Sequence, residues 1–90
     1  MSSYNGWANY ETWRVNLEML DGMTLEDFSM KITEAMDLSD VTVELADALE
    51  AHCVEFVGMD AKGFALDLAL SFLAEADWVE IAEHMVEDAS

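Results

Sequence analysis

Large apolar side chains recur every three or four residues along most of this 90-residue chain, which contains no proline. That spacing places side chains on one face of an α-helix, whereas a β-strand requires strict alternation. The first series runs from Tyr10 to Leu20 and predicts a helix that Asn9 caps and that ends near Gly22. Because a chain of this length buries enough surface for one core only, the pattern predicts an all-α fold. We expect a single domain over residues 1–90, a compact bundle of about five short helices.

Four more helices are predicted from the same spacing and from residues that cap helix ends. Thr24 with Asp27, and Asp77 with Glu80, have the spacing of capping boxes, in which side chains satisfy the first backbone N–H groups of a helix. The second helix is predicted from Leu25 to about Met36 and the fifth from Trp78 to Glu87. The third is predicted from the turn at residues 37–40 to Val57, and the fourth from its cap Asp60 to about Glu75.

The limits of the third helix depend on two acids and one glycine. Asp37 or Asp40 can cap its start, and Gly58 is expected to end it. The β-branched segment at residues 41–43 could instead form a short extended stretch, but we favour a helix because no partner strand is predicted elsewhere. Its apolar side is expected to contain Val41, Leu45, Ala48, Leu49, His52 and Phe56.

The fourth helix, which Asp60 is expected to cap, is hydrophobic on nearly every side, as in a helix surrounded by others. We therefore expect it to be the central helix of the bundle. Its buried side chains should be Phe64, Leu68 and Phe72, with Leu66, Leu70 and Leu73 as further candidates. The inward residues of the second helix should be Leu25, Phe28, Ile32 and Met36, and those of the fifth helix Trp78, Ile81, Ala82 and Met85.

The charge of the chain limits its partners. Twenty acids against three bases give a formal net charge of -17, while 53% of residues are hydrophobic, which excludes an acidic disordered chain. With only Arg14, Lys31 and Lys62 as bases, we expect no direct binding to nucleic acid or to a membrane. No apolar segment approaches the ~20 residues of a membrane span. The opening residues lack the pattern of a signal peptide, so we expect a cytoplasmic location.

The residues that most often carry chemistry do not form a recognisable site. Neither His52 nor His84 has the Glu-x-x-His spacing of a di-iron carboxylate site. Cys53 follows His52 directly, so the two side chains diverge by about 100° on a helix and cannot act as a nucleophile and its base. We expect Cys53 to be a buried structural thiol, and we expect no enzyme activity, no metal and no cofactor.

The acids themselves are the candidate binding residues. A folded chain of this mass exposes roughly 5,300 Å², so evenly spread acids would be two to three times sparser than DNA phosphates, which occur about once per 110 Å². Imitation of DNA therefore requires acids gathered on part of the surface. Four helical residues span ~6 Å and five ~7.5 Å, close to the spacing of phosphates along one strand. Two rows step by three or four residues, about 4.5 to 6 Å: Asp40, Glu44, Asp47 and Glu50 on the third helix, and Glu80, Glu83 and Glu87 on the fifth.

Two segments resemble sequences found elsewhere. The ten residues Tyr4-Asn5-Gly6-Trp7-Ala8-Asn9-Tyr10-Glu11-Thr12-Trp13 resemble the opening of small, uncharacterised proteins of phages, plasmids and haloarchaea, and residues 77–84 resemble a looser motif near their ends. The resemblance implies a viral or mobile-element setting and no particular activity. Within this segment we expect the aromatic side chains to clamp the start of the chain against the last helix, with Asn9 as a cap. These side chains are Tyr4, Trp7, Tyr10 and Trp13.

Three hypotheses follow. The first is an inhibitor of a host DNA-targeting defence system, an anti-CRISPR or otherwise an anti-restriction protein, whose acidic rows occupy a basic nucleic-acid-binding channel as a DNA mimic. The second is a small helical adaptor or homodimer that binds a partner through an apolar face containing Met and Trp, with acids serving solubility. The third is a salt-adapted domain, which predicts that stability rises up to molar salt.

Overall fold

The computed structural model describes residues 6–33 and 37–89, and the secondary-structure elements within these ranges are all helical. The predicted all-α fold is confirmed. The chain forms four α-helices with a π-helical turn after the first and a 3₁₀ turn before the second. The elements are α1 (Tyr10–Val15), the π turn (Asn16–Leu20), the 3₁₀ turn (Leu25–Phe28), α2 (Leu38–Asp60), α3 (Gly63–Ala74) and α4 (Trp78–Ala89).

The first helix begins where the sequence predicts. Asn9 is its N-cap, and its side-chain oxygen accepts hydrogen bonds from the backbone N–H of Thr12 at 2.9 Å and from the Thr12 hydroxyl at 2.6 Å. The helix widens into the π turn and ends beside Gly22, which has a φ of 82°. A left-handed residue is a common way to end a helix, and glycine adopts that conformation without strain.

The second predicted helix is wrong beyond its first turn. The capping box forms, since Thr24 N–H donates to the Asp27 carboxylate at 2.8 Å. However, Ser29 adopts the left-handed conformation, and the N–H of Met30 donates to the carbonyl of Leu25, as in a Schellman motif. A single turn gains little from its own hydrogen bonds, so this closure ends the helix. The predicted end at Met36 lies outside the described residues.

Helix α2 is longer than predicted. Asp37 caps it by accepting from the N–H of Ser39 at 2.9 Å, and the helix is continuous through residues 41–43, so the extended alternative is wrong. Gly58 does not end it, because a glycine costs a helix only about 1 kcal/mol. The helix continues to Asp60, which therefore does not cap α3. The turn to the next helix is made at Gly63, where φ is 58°.

The core lies between α2 and α4, and α3 is peripheral. Of the six side chains that were expected to be buried on α3, Leu73 alone is buried, while Phe64 is 78% and Leu68 55% exposed. A helix that is apolar on all sides needs neighbours on all sides, and a chain of 90 residues supplies no further layer. The expectation of a central α3 is therefore wrong. The core consists mainly of Val15, Leu20, Leu25, Val41, Leu45, Leu49, Cys53, Trp78, Ile81, Ala82, Met85 and Val86.

The inner face of α4 is as predicted, and that of α2 is correct only in its first half. Beyond Leu49 the buried position is Cys53, whereas His52 and Phe56 are exposed. The helix extends past the end of the core, so its last turns have less to pack against. No helix in the described ranges is long and apolar enough to cross a membrane.

Candidate protein-interaction surfaces

The predicted acidic row on α2 is exposed. The buried residues Val41, Leu45 and Leu49 define the inward side of the helix. At about 100° per residue, Asp40, Glu44 and Asp47 fall on the opposite side, and Glu50 lies at its edge. All four carboxylates are exposed.

The predicted row on α4 is divided between two roles. Glu83 and Glu87 are exposed on the side opposite the core. Glu80 is half-buried, and its carboxylate accepts a hydrogen bond from the N–H of Ala8 at 2.8 Å. Glu80 therefore serves to hold the start of the chain. The exposed carboxylates of the two rows, which we call the acidic face, are Asp40, Glu44, Asp47, Glu50, Glu83 and Glu87.

The N-terminal turns of α2 and α4 lie side by side. Ser39, Thr42 and Val43 of α2 line a shallow cleft of about 290 Å³ with Val79 and Glu83 of α4. Val43 is 56% and Val79 45% exposed. An apolar strip therefore lies between the two acidic rows, and Glu83 borders it.

The electrostatic contrast between elements is large. Helices α2 and α4 together contain ten of the twenty acids and no lysine or arginine. Helix α3 contains one charged residue, Asp67. Of the three bases, Lys62 directly precedes α3, and Arg14 forms an ion pair with Glu18 on the adjacent π turn. Negative charge is thus concentrated away from α3.

An apolar groove lies where α3 meets the first helix. It has a volume of about 430 Å³, and the Arg14–Glu18 pair lies at its border. Phe64 is four residues before Leu68 and on the same side of α3, so it extends this surface outward. The apolar side chains of this surface, which we call the α3 groove, include Val15, Met19, Val57, Leu68, Phe72 and Leu73. The apolar spacing predicts the α3 members, Leu68, Phe72 and Leu73, in the core, and of these three Leu73 alone is buried. The signal in the sequence was the narrow polar side of α3, which consists of Asp67 and Ser71.

Both histidine rings contact aromatic rings, and the cysteine is buried in the core. His84 stacks on Trp7 with ring centroids 4.3 Å apart, and His52 meets the edge of Phe28 at 5.5 Å. Cys53 is a fully buried free thiol, and burial raises its pKa from 9.0 to about 11. Among the described residues, no group of three His, Cys, Asp or Glu side chains could hold a metal.

Residues 7–12, around the start of α1, contact residues 75–84, around the start of α4. Besides the Ala8–Glu80 bond, the Asp77 N–H donates to the Thr12 hydroxyl at 2.8 Å, and Trp7 stacks on His84. The side-chain amide of Asn9 also donates to the carbonyl of Glu75 at 2.8 Å. These contacts hold the start of α1 against the start of α4, and we call them the clamp.

The aromatic members of the clamp do not all meet the last helix. Trp7 does, whereas the ring of Tyr10 meets Phe72 of α3 at 6.1 Å and Trp13 at 5.8 Å. Tyr4 lies outside the described residues.

Comparison with known proteins gives a family but no activity. No curated protein and no solved structure shows significant similarity to the chain. The model of a family of unknown function, DUF7249, matches residues 1–89, and the chain belongs to that family.

Proposed function

We propose that the chain inhibits a host DNA-targeting defence complex by placing its acidic face on the basic surface that normally holds DNA. A CRISPR effector complex is the first candidate target and a restriction enzyme the second. In this proposal the protein is encoded by a phage or another mobile element and acts in the host cytoplasm. The observation that supports it most is the concentration of half the acids on two adjacent helices that contain no lysine or arginine.

Charge density explains why this concentration matters. The accessible surface is 5957 Å², so twenty evenly spread acids would each occupy about 300 Å², against about 110 Å² per charge on DNA. An even distribution would therefore be too sparse to compete. Asp40, Glu44 and Asp47 follow one another within two turns, where successive carboxylates are ~5–6 Å apart along the axis.

The mechanism is electrostatic competition. The carboxylates of the acidic face bind arginine and lysine side chains that would otherwise hold phosphates, and the net charge of -17 steers the two molecules together. The exposed Val43 and Val79 between the rows add an apolar contact that salt does not screen. Binding should therefore weaken with salt less steeply than the binding of DNA itself.

The test is a competition assay with purified components. A DNA-targeting CRISPR effector complex and, in parallel, a restriction endonuclease are titrated with the protein while the anisotropy of labelled target DNA is followed at 50 and 300 mM salt. We expect displacement of DNA at 50 mM salt and weaker displacement at 300 mM. Failure to bind either complex at 50 mM salt would contradict the proposal.

A matched pair of variants identifies the surface used. The triple variant Asp40→Asn, Glu44→Gln, Asp47→Asn should weaken inhibition by roughly 10- to 100-fold, since each exposed charge pair contributes up to ~1 kcal/mol. The control, Asp21→Asn, Glu26→Gln, Glu75→Gln, makes the same change in net charge at exposed sites outside α2 and α4, and it should change inhibition about twofold or less. Equal losses in both variants would show that only total charge matters.

A second candidate function is supported by the α3 groove. In this alternative the protein binds a partner through apolar contacts, and the acids maintain solubility. The most exposed side chains of this surface are Phe64 and Leu68, and Met19 also lines the groove, whereas Trp78 and Met85 are buried in the core. Changing Asp40, Glu44 and Asp47 to lysine separates the two candidates, because it should abolish a decoy and leave an apolar interface nearly intact.

A further inference from the structure

The outward side of α3 is an exposed apolar surface that the acidic decoy does not use. Phe64 and Leu68 are neighbours one turn apart, 78% and 55% exposed, and Phe72 continues the row toward the α3 groove. Scattered single apolar residues are ordinary on a protein surface, but a continuous apolar row beside an apolar groove marks an interaction site.

We propose that a second copy of this chain covers the α3 groove and forms a two-fold symmetric dimer. In such a dimer the same surface is used on both copies, so each copy presents Phe64 and Leu68 and receives those of the other. The proposal identifies the occupant of the apolar surface described above, and it does not depend on the acidic decoy.

The charge distribution favours a second copy over a cationic partner. Two chains of net charge -17 repel each other, so they can associate only where acids are few. Helix α3 has one acid in twelve residues, Lys62 precedes it, and the charges of Arg14 and Glu18 at the border of the groove cancel in their ion pair. A basic partner would gain little from this nearly neutral surface and would bind the acidic face instead.

The area is sufficient for a modest dimer. At 78% and 55% exposed, Phe64 and Leu68 offer roughly 250 Å². With the open parts of the groove and the exposed residues that surround them, the surface amounts to on the order of 500 Å² per copy. Two copies would bury on the order of 1,000 Å², at the lower limit of specific interfaces. We therefore expect a dissociation constant in the micromolar range. The outward sides of α2 and α4 stay free, so the dimer carries two acidic faces.

Sedimentation velocity of the full chain from 1 to 500 μM, at 0.15 and 1 M NaCl, tests the proposal. We expect a monomer–dimer equilibrium that becomes tighter at 1 M NaCl, because salt screens the repulsion and does not weaken apolar contact. Decoy binding has the opposite salt dependence, so the two proposals can fail separately. A chain that stays monomeric at 500 μM in 1 M NaCl would overturn the dimer.

Two variants locate the interface. The variant Phe64→Gln, Leu68→Gln removes the apolar row at exposed positions and should weaken the dimer at least tenfold with an unchanged circular dichroism spectrum. The control Leu38→Gln, Val43→Gln changes two similarly exposed apolar residues on α2 and should leave the dimer unchanged. A dimer that survives the first variant, or that the control weakens equally, would show that another surface is used.

Discussion

Helices α3 and α4 have the same length, twelve residues each, and opposite relations between composition and burial. Helix α3 has a single charged residue and buries only Leu73, whereas α4 has four acids and buries five side chains. The difference arises from arrangement. The apolar residues of α4 share one side, which packs on α2, while those of α3 surround the helix and exceed the neighbours available. Apolar content therefore does not determine which helix is central in so small a chain.

The two helices should differ most in how much the free energy of unfolding falls when a large side chain is removed. Ile81 is fully buried between α4 and the rest of the core, so Ile81→Ala should lower the free energy of unfolding by about 3 kcal/mol through lost burial and the cavity left behind. Phe64→Ala on α3 should cost under about 0.5 kcal/mol, as at other exposed sites.

Urea unfolding at about 0.02 μM protein, far below the expected dissociation constant, measures both values on the monomer. Similar losses in the two variants would mean that Phe64 is packed against the chain in solution, and the contrast between the helices would then be wrong.

The sequence predicts correctly which residues of α4 are buried, but it does not predict which residues of α3 are. The cap Asp77 and the inward residues Trp78, Ile81 and Met85 of α4 follow from local spacing, because an amphipathic helix has only one side to bury. The same reasoning fails for α3, where Asp67 and Ser71 form too narrow a polar side to indicate which apolar residues face solvent.

Two other differences from the prediction have one local and one long-range cause. The 3₁₀ turn has a correct capping box, but its end depends on Ser29 adopting a left-handed conformation that periodicity does not reveal. The positions of the acidic rows follow from the spacing of residues along each helix. The spacing does not reveal that Glu80 binds within the protein, because its partner Ala8 is distant in the sequence.

A second prediction compares the reaction rate of the buried Cys53 thiol with that of a thiol placed on α3. Cys53 is buried beside the core that α4 completes, and its pKa is raised to about 11, so at pH 8 it should react with a thiol reagent only through unfolding. A cysteine placed on α3 by Ser71→Cys, at an exposed position, should react at least 100-fold faster in the same molecule. Comparable rates would show that the core around Cys53 opens readily.

The same thiol gives a pH dependence of stability. A pKa raised from 9.0 to about 11 on folding means that the native state favours the neutral thiol. The neutral Cys53 thiol therefore makes its full contribution to the free energy of unfolding below pH 9. That contribution is lost as the pH rises through 11, and the loss is about 1 kcal/mol at pH 10. Urea unfolding at pH 8 and pH 10 should show that much extra loss in the parent chain relative to Cys53→Ala, which cannot ionise. Parallel pH profiles would contradict the assignment.

The smallest effects are expected at the helix starts, where α3 and α4 also differ. The Asp77 side chain accepts the N–H of Glu80 at 3.0 Å, whereas Lys62, the N-cap residue of α3, makes no capping side-chain bond within the described residues. Asp77→Ala should therefore cost about 1 kcal/mol in urea unfolding, and Lys62→Ala close to nothing. Lys62 already has the extended backbone of an N-cap, with φ -141° and ψ 158°. Lys62→Ser should consequently stabilise the chain by about 0.5 kcal/mol. A different result is that Lys62→Ser leaves the free energy of unfolding unchanged while Asp77→Ala lowers it by the full amount. The start of α3 would then be frayed in solution, and its apolar row would be held in place only when covered by a second copy.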